Sequence, residues 1–366
     1  MQEIEIQVKV TPTSYRLIIG SNLFAQLADR LKEHPLGSRY AVITDTVVAP
    51  LWGNQLLAEL EKRGLSAKLF PFPAGEASKT RQTKEQLEDQ LLQEAYGRDA
   101  AILALGGGVV GDVAGYTAAT YMRGIPVLQI PTTTLAMADS SIGGKTGVDT
   151  PYGKNLIGAF HHPVEVYMDM QTLATLDERN YRAGLAELVK HGFIWDLSIL
   201  EYVQAHQKQI LQRDPAVLEA LFEKNCQVKN AVVSQDDREK GLRQILNYGH
   251  TMGHAVEILS GFDLIHGECV SIGMVFAARL ARMKGLCSED WAVRQRDILA
   301  GLGLPVHFPA ALEEQKLMDL MKMDKKTRQG QIQFVLPLEP GHVAYGIPVS
   351  EEELGACLAY LRKENC

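Results

Sequence analysis

The sequence predicts an α/β N-terminal domain with a parallel sheet, followed by a mostly α-helical C-terminal domain. Three observations carry this expectation. In the first half, short apolar runs alternate with stretches of helical spacing. The third buried run passes directly into Gly106, Gly107 and Gly108. After about residue 178, strand-like runs become rare and helical periodicity dominates. With 366 residues and roughly 150 residues per domain as a guide, two domains are expected, at 1–178 and 179–366.

The elements follow in order. Residues 4–10 alternate charged and apolar side chains, as a strand does. Residues 40–44 form an apolar run ending at Asp45, the pattern of a buried parallel strand. Residues 51–63 have helical spacing and stop at Gly64. Another strand is expected at 67–72, a helix at 80–94, and buried strands at 100–105 and 127–130, the last ending at Pro131. In the second half, Thr175 with Glu178 and Ser350 with Glu353 both fit a capping box. Leu354, Cys357, Leu358 and Leu361 share one face of a last helix. A short strand pair fits 332–336 and 342–345.

Composition narrows the function class. A net charge of -7 argues against a nucleic-acid partner, which would leave a basic stripe. The five cysteines, Cys226, Cys269, Cys287, Cys357 and Cys366, form no CxxC pair, which fits reduced thiols. No run of 18 apolar residues is present, so no membrane span is expected. Residues 1–10 lack the basic and apolar regions of a signal peptide. A cytoplasmic protein is expected.

Two glycine-rich segments look built for anions. Gly106 to Gly111 satisfies G-x-G-x-x-G directly after a strand, where bare backbone and a helix N-terminus can meet a pyrophosphate. The acid expected about 20 positions later is missing, since Asp139 is the next after Asp112. Asp45, at the end of an earlier strand, is the candidate ribose acid. The arrangement is therefore Rossmann-like but not standard. The second segment, 139–147, ends in Gly144, Lys145 and Thr146 like a P-loop. Asp139 stands where that motif needs its first glycine, so the motif fails. With Lys154 and Asn155 following, the segment still reads as an anion cradle.

The second half carries metal-type donors. His250 and His254 are four apart and share a helix face. The spacing is that of HExxH, but Thr251 replaces the glutamate, which removes the peptidase reading. His266 follows, and upstream Glu187, Lys190 and His191 share a face opposite Leu185 and Leu188. Two histidines and a carboxylate make an open catalytic zinc set; spacing alone leaves open which two histidines bind. Arg123, Lys145, Lys154, Lys190, Lys229, Arg243 and Lys325 lie in or beside these motifs and would line a cationic cleft for a substrate with several anionic groups.

Segments 106–112, 119–124, 131–135, 139–147, 153–160, 186–191, 246–257 and 266–268, in this order, resemble the 3-dehydroquinate synthase family over nearly the whole chain. Departures are small: Met137 and Ala138 stand where the family more often has Gln and Val, and Asp149 and Thr150 where Asn and His are common. The resemblance implies a homodimer with an NAD-binding N-terminal domain, a metal-binding C-terminal domain and an active site between them. It implies zinc, with cobalt also accepted, on Glu187, His250 and His266. NAD contacts would fall on Asp45, Glu76, Lys79, Gly107, Gly108, Val109, Asp112, Thr132, Thr133, Lys145, Lys154, Thr172 and Thr175. Catalytic roles would fall on His254, Lys145, Lys190, Arg243, Asn247 and Asp139. Substrate contacts would fall on Asn155, Lys229, Lys325 and, reaching across the dimer to phosphate, Arg123.

The implied reaction is the second step of the shikimate pathway. A lyase of this family converts 3-deoxy-D-arabino-heptulosonate 7-phosphate into 3-dehydroquinate and phosphate. The steps are transient oxidation at C5 by NAD, phosphate elimination, re-reduction, ring opening and aldol closure. The metal lowers the pKa of the reacting hydroxyls, and His254 is the expected proton-transfer group. The alternative is another sugar-phosphate cyclase, acting on sedoheptulose 7-phosphate or glucose 6-phosphate; Lys229, Arg243 and Asn155 favour a carboxylated substrate. More distant readings are an iron- or zinc-dependent alcohol dehydrogenase and a non-catalytic NAD-binding protein.

Overall fold

The computed structural model describes residues 14–236, 239, 241–261, 263–309, 312–323 and 332–364. The strand expected at 4–10, together with Lys325 and Cys366, lies outside them.

A six-stranded sheet organises the first half. In chain order its strands are β1 (Arg16–Gly20), β2 (Arg39–Asp45), β3 (Ala67–Phe72), β4 (Ala100–Gly106), β5 (Val127–Pro131) and β8 (Glu165–Asp169). Their spatial order is β1-β8-β5-β4-β2-β3, and every pairing is parallel. Strands β4, β5 and β8 are buried along their whole length, which requires helices on both faces. Alternate residues supply the two faces. Ala41, Ile43, Ile102 and Ala104 pack with Leu87 and Leu91 of α3 (Arg81–Gln93) and Val110 and Val113 of α4 (Gly108–Thr120). Tyr40, Val42, Ala101 and Leu103 pack with Leu27 and Leu31 of α1 (Phe24–Glu33) and Leu56 and Leu60 of α2 (Asn54–Glu61).

Between β5 and β8 lies an antiparallel hairpin, β6 (Lys145–Thr150) and β7 (Gly153–Phe160). Sequence reasoning read this stretch as a glycine-rich loop. The apolar residues of β7, Leu156, Ile157, Ala159 and Phe160, do not alternate with polar ones and the strand is mostly exposed, so no hydrophobic alternation announces it. Strands β1 and β8 also escaped notice: each is only five residues long, and β1 is an edge strand beginning with Arg16.

The helical part comprises α5 (Glu178–Ile194), α6 (Leu197–Leu211), α7 (Pro215–Gln235), α8 (His250–Leu259), α9 (His266–Met283), α10 (Glu289–Gly301), α11 (Glu314–Met323) and α12 (Glu351–Glu364), with an antiparallel pair, β9 (Ile332–Glu339) and β10 (His342–Val349). The expected cap at Ser350 is present: Glu353 N donates to Ser350 Oγ at 3.2 Å and Ser350 N to Glu353 Oε2 at 2.9 Å. The expected box of Thr175 with Glu178 is not. Asp177 caps α5 instead, accepting from Asn180 N at 3.0 Å, and Thr175 closes the preceding turn. Helix α5 is also less amphipathic than expected: Leu185 and Leu188 are buried, and so are Glu187, Lys190 and His191 opposite them. No helix among the described residues is long and apolar enough to cross a membrane.

Candidate active site

Three helices converge on one cluster of donors, and glycines let them approach. Gly249 precedes α8 with φ +82°, a backbone that favours glycine. A Cβ on Gly273 of α9 would collide with the Gly249 carbonyl, and one on Gly267 with the Ala183 carbonyl of α5. The close crossings bring His250 at the start of α8, His266 at the start of α9 and Glu187 of α5 together. Among the described residues this is the one group of three metal-type donors whose ligand atoms lie within 4.8 Å of one another.

The geometry fits a divalent metal. Glu187 is fully buried, and its Oε1 has no hydrogen-bond partner. His250 Nε2 lies 3.6 Å from it and His266 Nε2 3.8 Å. His250 Nδ1 is 3.1 Å from the Tyr248 carbonyl, so Nδ1 carries the proton and Nε2 presents a lone pair. Burial and the nearby Lys190 hold His250 well below its ordinary pKa, in the neutral form a metal needs. Burial opposes ionisation of Glu187, but Lys190 and the two histidines outweigh it and hold the carboxyl far below its usual range. Lys190 donates to the other oxygen, Oε2. His254 stands beside the cluster, its ring 5.4 Å from that of His250 and 6.1 Å from that of His266.

A second set of buried polar groups adjoins the first. Lys229 donates to both the carbonyl and, at 2.6 Å, the Oδ1 of Asp139. Burial would raise the Asp139 pKa, but Lys229 and Lys190 bring it well below the ordinary value. The neighbouring backbone is tied down as well: Asn225 Nδ2 donates to the Ala138 carbonyl at 2.9 Å, and Asn225 Oδ1 meets His191 Nδ1 at 2.6 Å. His191 therefore faces Asn225 and not the metal donors. Burial and nearby lysines push its pKa down to about 4, so it is neutral. Arg243 is buried and its guanidinium lies 3.5 Å from the Gly143 carbonyl. Glu239 was missed in the sequence. Its carboxylate binds Lys145 and accepts from Asn247 Nδ2 at 2.5 Å. No motif marks it; it lies in an irregular segment with φ +57°.

The expected cofactor residues gather at the carboxyl edge of the sheet. The chain reverses its strand order between β2 and β4, which is where open α/β sheets bind nucleotides. Ile43 pairs with Ala104, so Asp45 and the β4–α4 turn end side by side. Gly107 caps α4, Gly108 and Val109 open it, and Asp112 follows in its second turn. Gly106 pairs with Pro131 of β5, which leads to Thr132 and Thr133. Asp45 accepts from the Val47 and Val48 amides, both at 2.8 Å. Thr172 and Thr175 lie after β8; Thr175 Oγ1 accepts from Trp52 Nε1 at 2.8 Å. Lys79 is 2.6 Å from Asp112 and donates to Asn155 Oδ1 at 2.5 Å. Asp149, a departure from the family pattern, accepts from Asn155 N at 2.7 Å and so holds Asn155 at φ +55°.

The cationic cleft needs correcting. Lys145 pairs with Glu239, Lys190 with Glu187, and Lys229 with Asp139. Lys154 lies 2.7 Å from Glu257 and 3.5 Å from Glu76. Lys190 and Lys229 are buried, where an unpaired ammonium group would be too costly; Lys145 and Lys154 are exposed and pair with carboxylates at the surface of the site. Arg123 does not join the cluster within this chain. It is exposed just after α4, which places it at the opposite edge of the sheet.

Residues 69–183 match the family model described as 3-dehydroquinate synthase N-terminal, and residues 184–327 match 3-dehydroquinate synthase C-terminal. A 3-dehydroquinate synthase of Symbiobacterium thermophilum is 46% identical over 351 residues, covering 95% of this chain and 98% of the relative. One from Desulforamulus reducens is 44% identical over 355 residues, covering 97% and 99%. Among solved structures, 2-epi-5-epi-valiolone synthase from Streptomyces hygroscopicus with NAD+ and Zn2+ bound superposes with TM-score 0.89 at 29% identity, covering 98% of this chain and 100% of that one. A 2-deoxy-scyllo-inosose synthase complexed with carbaglucose-6-phosphate, NAD+ and Co2+ gives 0.87 at 26%, covering 95% and 96%.

Proposed function

The chain belongs to the 3-dehydroquinate synthase family, and from that premise we propose how its own residues carry the reaction. The chain is a lyase that converts 3-deoxy-D-arabino-heptulosonate 7-phosphate into 3-dehydroquinate and phosphate, with NAD and one divalent metal as cofactors. When bound, NAD exchanges a hydride with C5 of the substrate and the metal polarises the substrate hydroxyls. Glu187, His250 and His266 hold the metal; zinc suits this donor set. The observation that carries this reading is the buried, unpartnered Glu187 oxygen facing two histidine nitrogens.

The family resemblance, with placement where it is described, supports the remaining assignments. Asp45, Gly107, Gly108, Val109, Asp112, Thr132, Thr133, Thr172 and Thr175 bind NAD along the carboxyl edge, with Glu76, Lys79, Lys145 and Lys154 from the flanking segments. Lys190, Lys229, Arg243, Asn155, Asn247 and Lys145 hold the substrate's anionic and hydroxyl groups in one pose. Asp139 orders Lys229 and Lys190, and Lys325 completes the set from outside the described residues. His254, beside the metal donors and half-buried, moves the proton at the reacting hydroxyl. Arg123 serves the partner's site in a homodimer. The two domains divide at 178/179, and the enzyme works in the cytoplasm.

A substrate panel tests the reading. The heptulosonate phosphate should release phosphate well ahead of sedoheptulose 7-phosphate and glucose 6-phosphate. Preference for either of those would place the chain with the other cyclases.

A further inference from the structure

Glu257 lies at the end of a line of polar contacts that no step above uses. It is buried on α8, seven residues after His250 and on the same face. Its two carboxylate oxygens point to different places. Oε2 is 3.5 Å from His266 Nδ1, at the outer edge of hydrogen-bond reach. Oε1 accepts from Lys154 Nζ at 2.7 Å, on the β6–β7 hairpin. His266 Nε2, across the ring, faces Glu187.

We infer that Glu257 is a positioning residue that joins the metal site to the β6–β7 hairpin, orienting His266 with one oxygen while Lys154 fixes the other. The inference rests on the metal reading proposed above. A carboxylate on the far nitrogen of a ligating histidine fixes the tautomer, sets the ring plane and strengthens the donor. His266 needs such help: it is the first residue of α9, and its side chain is 31% exposed, against 11% for His250. His250 gets its orientation from the Tyr248 carbonyl, whereas on the Nδ1 side of His266 stands the Glu257 carboxylate. Lys154 in turn sets which way the carboxylate turns, and Glu76, 3.5 Å from the same ammonium, competes for it. The hairpin comes from the first half of the chain and α8 from the second, so the contact spans the two parts.

Metal-stripped protein titrated with Co2+, without NAD or substrate, tests this by affinity and by the visible absorption of the bound ion. Glu257→Gln should bind Co2+ about 10–100-fold more weakly than the parent, with shifted visible bands. Lys154→Met, at a half-exposed side chain that folding tolerates, should weaken binding less. The double variant should match Glu257→Gln alone, because both act through one contact. Parent-like affinity and bands in Glu257→Gln, or single effects that add fully in the double variant, would overturn the inference. If the parent itself takes up no Co2+, the metal reading fails, and that result is distinct from both.

Discussion

His266 sits between two carboxylates, so a metal must compete there with a proton. Burial lowers its pKa, but the Glu187 and Glu257 carboxylates on either side of the ring more than compensate and raise it to about 9 from 6.5. In metal-free protein, the protonated ring therefore contributes stability that is fully present below about pH 6.5 and lost as the pH rises through about 9. Metal binding must release that proton. Zinc affinity of the stripped protein should consequently rise about tenfold per pH unit between those values, as chelator competition would show; a flat profile would contradict the assignment of His266. His250→Ala should lose zinc content and activity together, by metal analysis and assay. Lys145→Ala should keep its zinc, because Lys145 contacts Glu239 and not the metal donors, yet lose turnover; unchanged activity would remove Lys145 from the site. The family resemblance implied Glu187, His250 and His266 as the metal donors. Spacing alone did not choose among the histidines, because His266 joins His250 through a helix crossing while His254, four residues along the same helix, stands beside the set.

At the element scale, that crossing is made by glycine. Gly273→Ala would drive a Cβ into the Gly249 carbonyl, which is backbone and cannot swing aside. Overpacking of this kind costs roughly 1–3 kcal/mol, so the variant should melt lower and carry less metal. Ser350→Ala gives the contrast: loss of the α12 cap costs about 1 kcal/mol with zinc content unchanged. The central strands were legible because burial on both faces leaves continuous apolar runs, as in β4 and β5. The β6–β7 hairpin was not. It is held by backbone pairing and by Val148 and Ile157 against the core, and Lys145, Asp149, Lys154 and Asn155 make their polar contacts from it. Polar residues proposed to bind cofactor and substrate there break the local pattern on which sequence reading depends. Glu239 was hidden for the same reason, in a segment with no periodicity at all.

Across the whole molecule, the net charge of -7 and the cluster of cations are two sides of one arrangement. Each buried lysine of the site has its own carboxylate, so the substrate exchanges partners with charges already balanced. The KM for substrate should then fall less steeply with dilution of salt than unpaired cations would require; steady-state assays across ionic strength measure this. The order of motifs along the chain made the family legible, and the fold places their residues at one sheet edge and one helix cluster. The central claim is that the chain oxidises and re-reduces its substrate within a single turnover. The direct measurement is phosphate release and NADH absorbance, followed together, from purified enzyme with NAD, zinc and the heptulosonate phosphate, with and without chelator. Many turnovers of phosphate with no net NADH, abolished by chelator, is the predicted result. No phosphate, or NADH accumulating one for one with product, would contradict it.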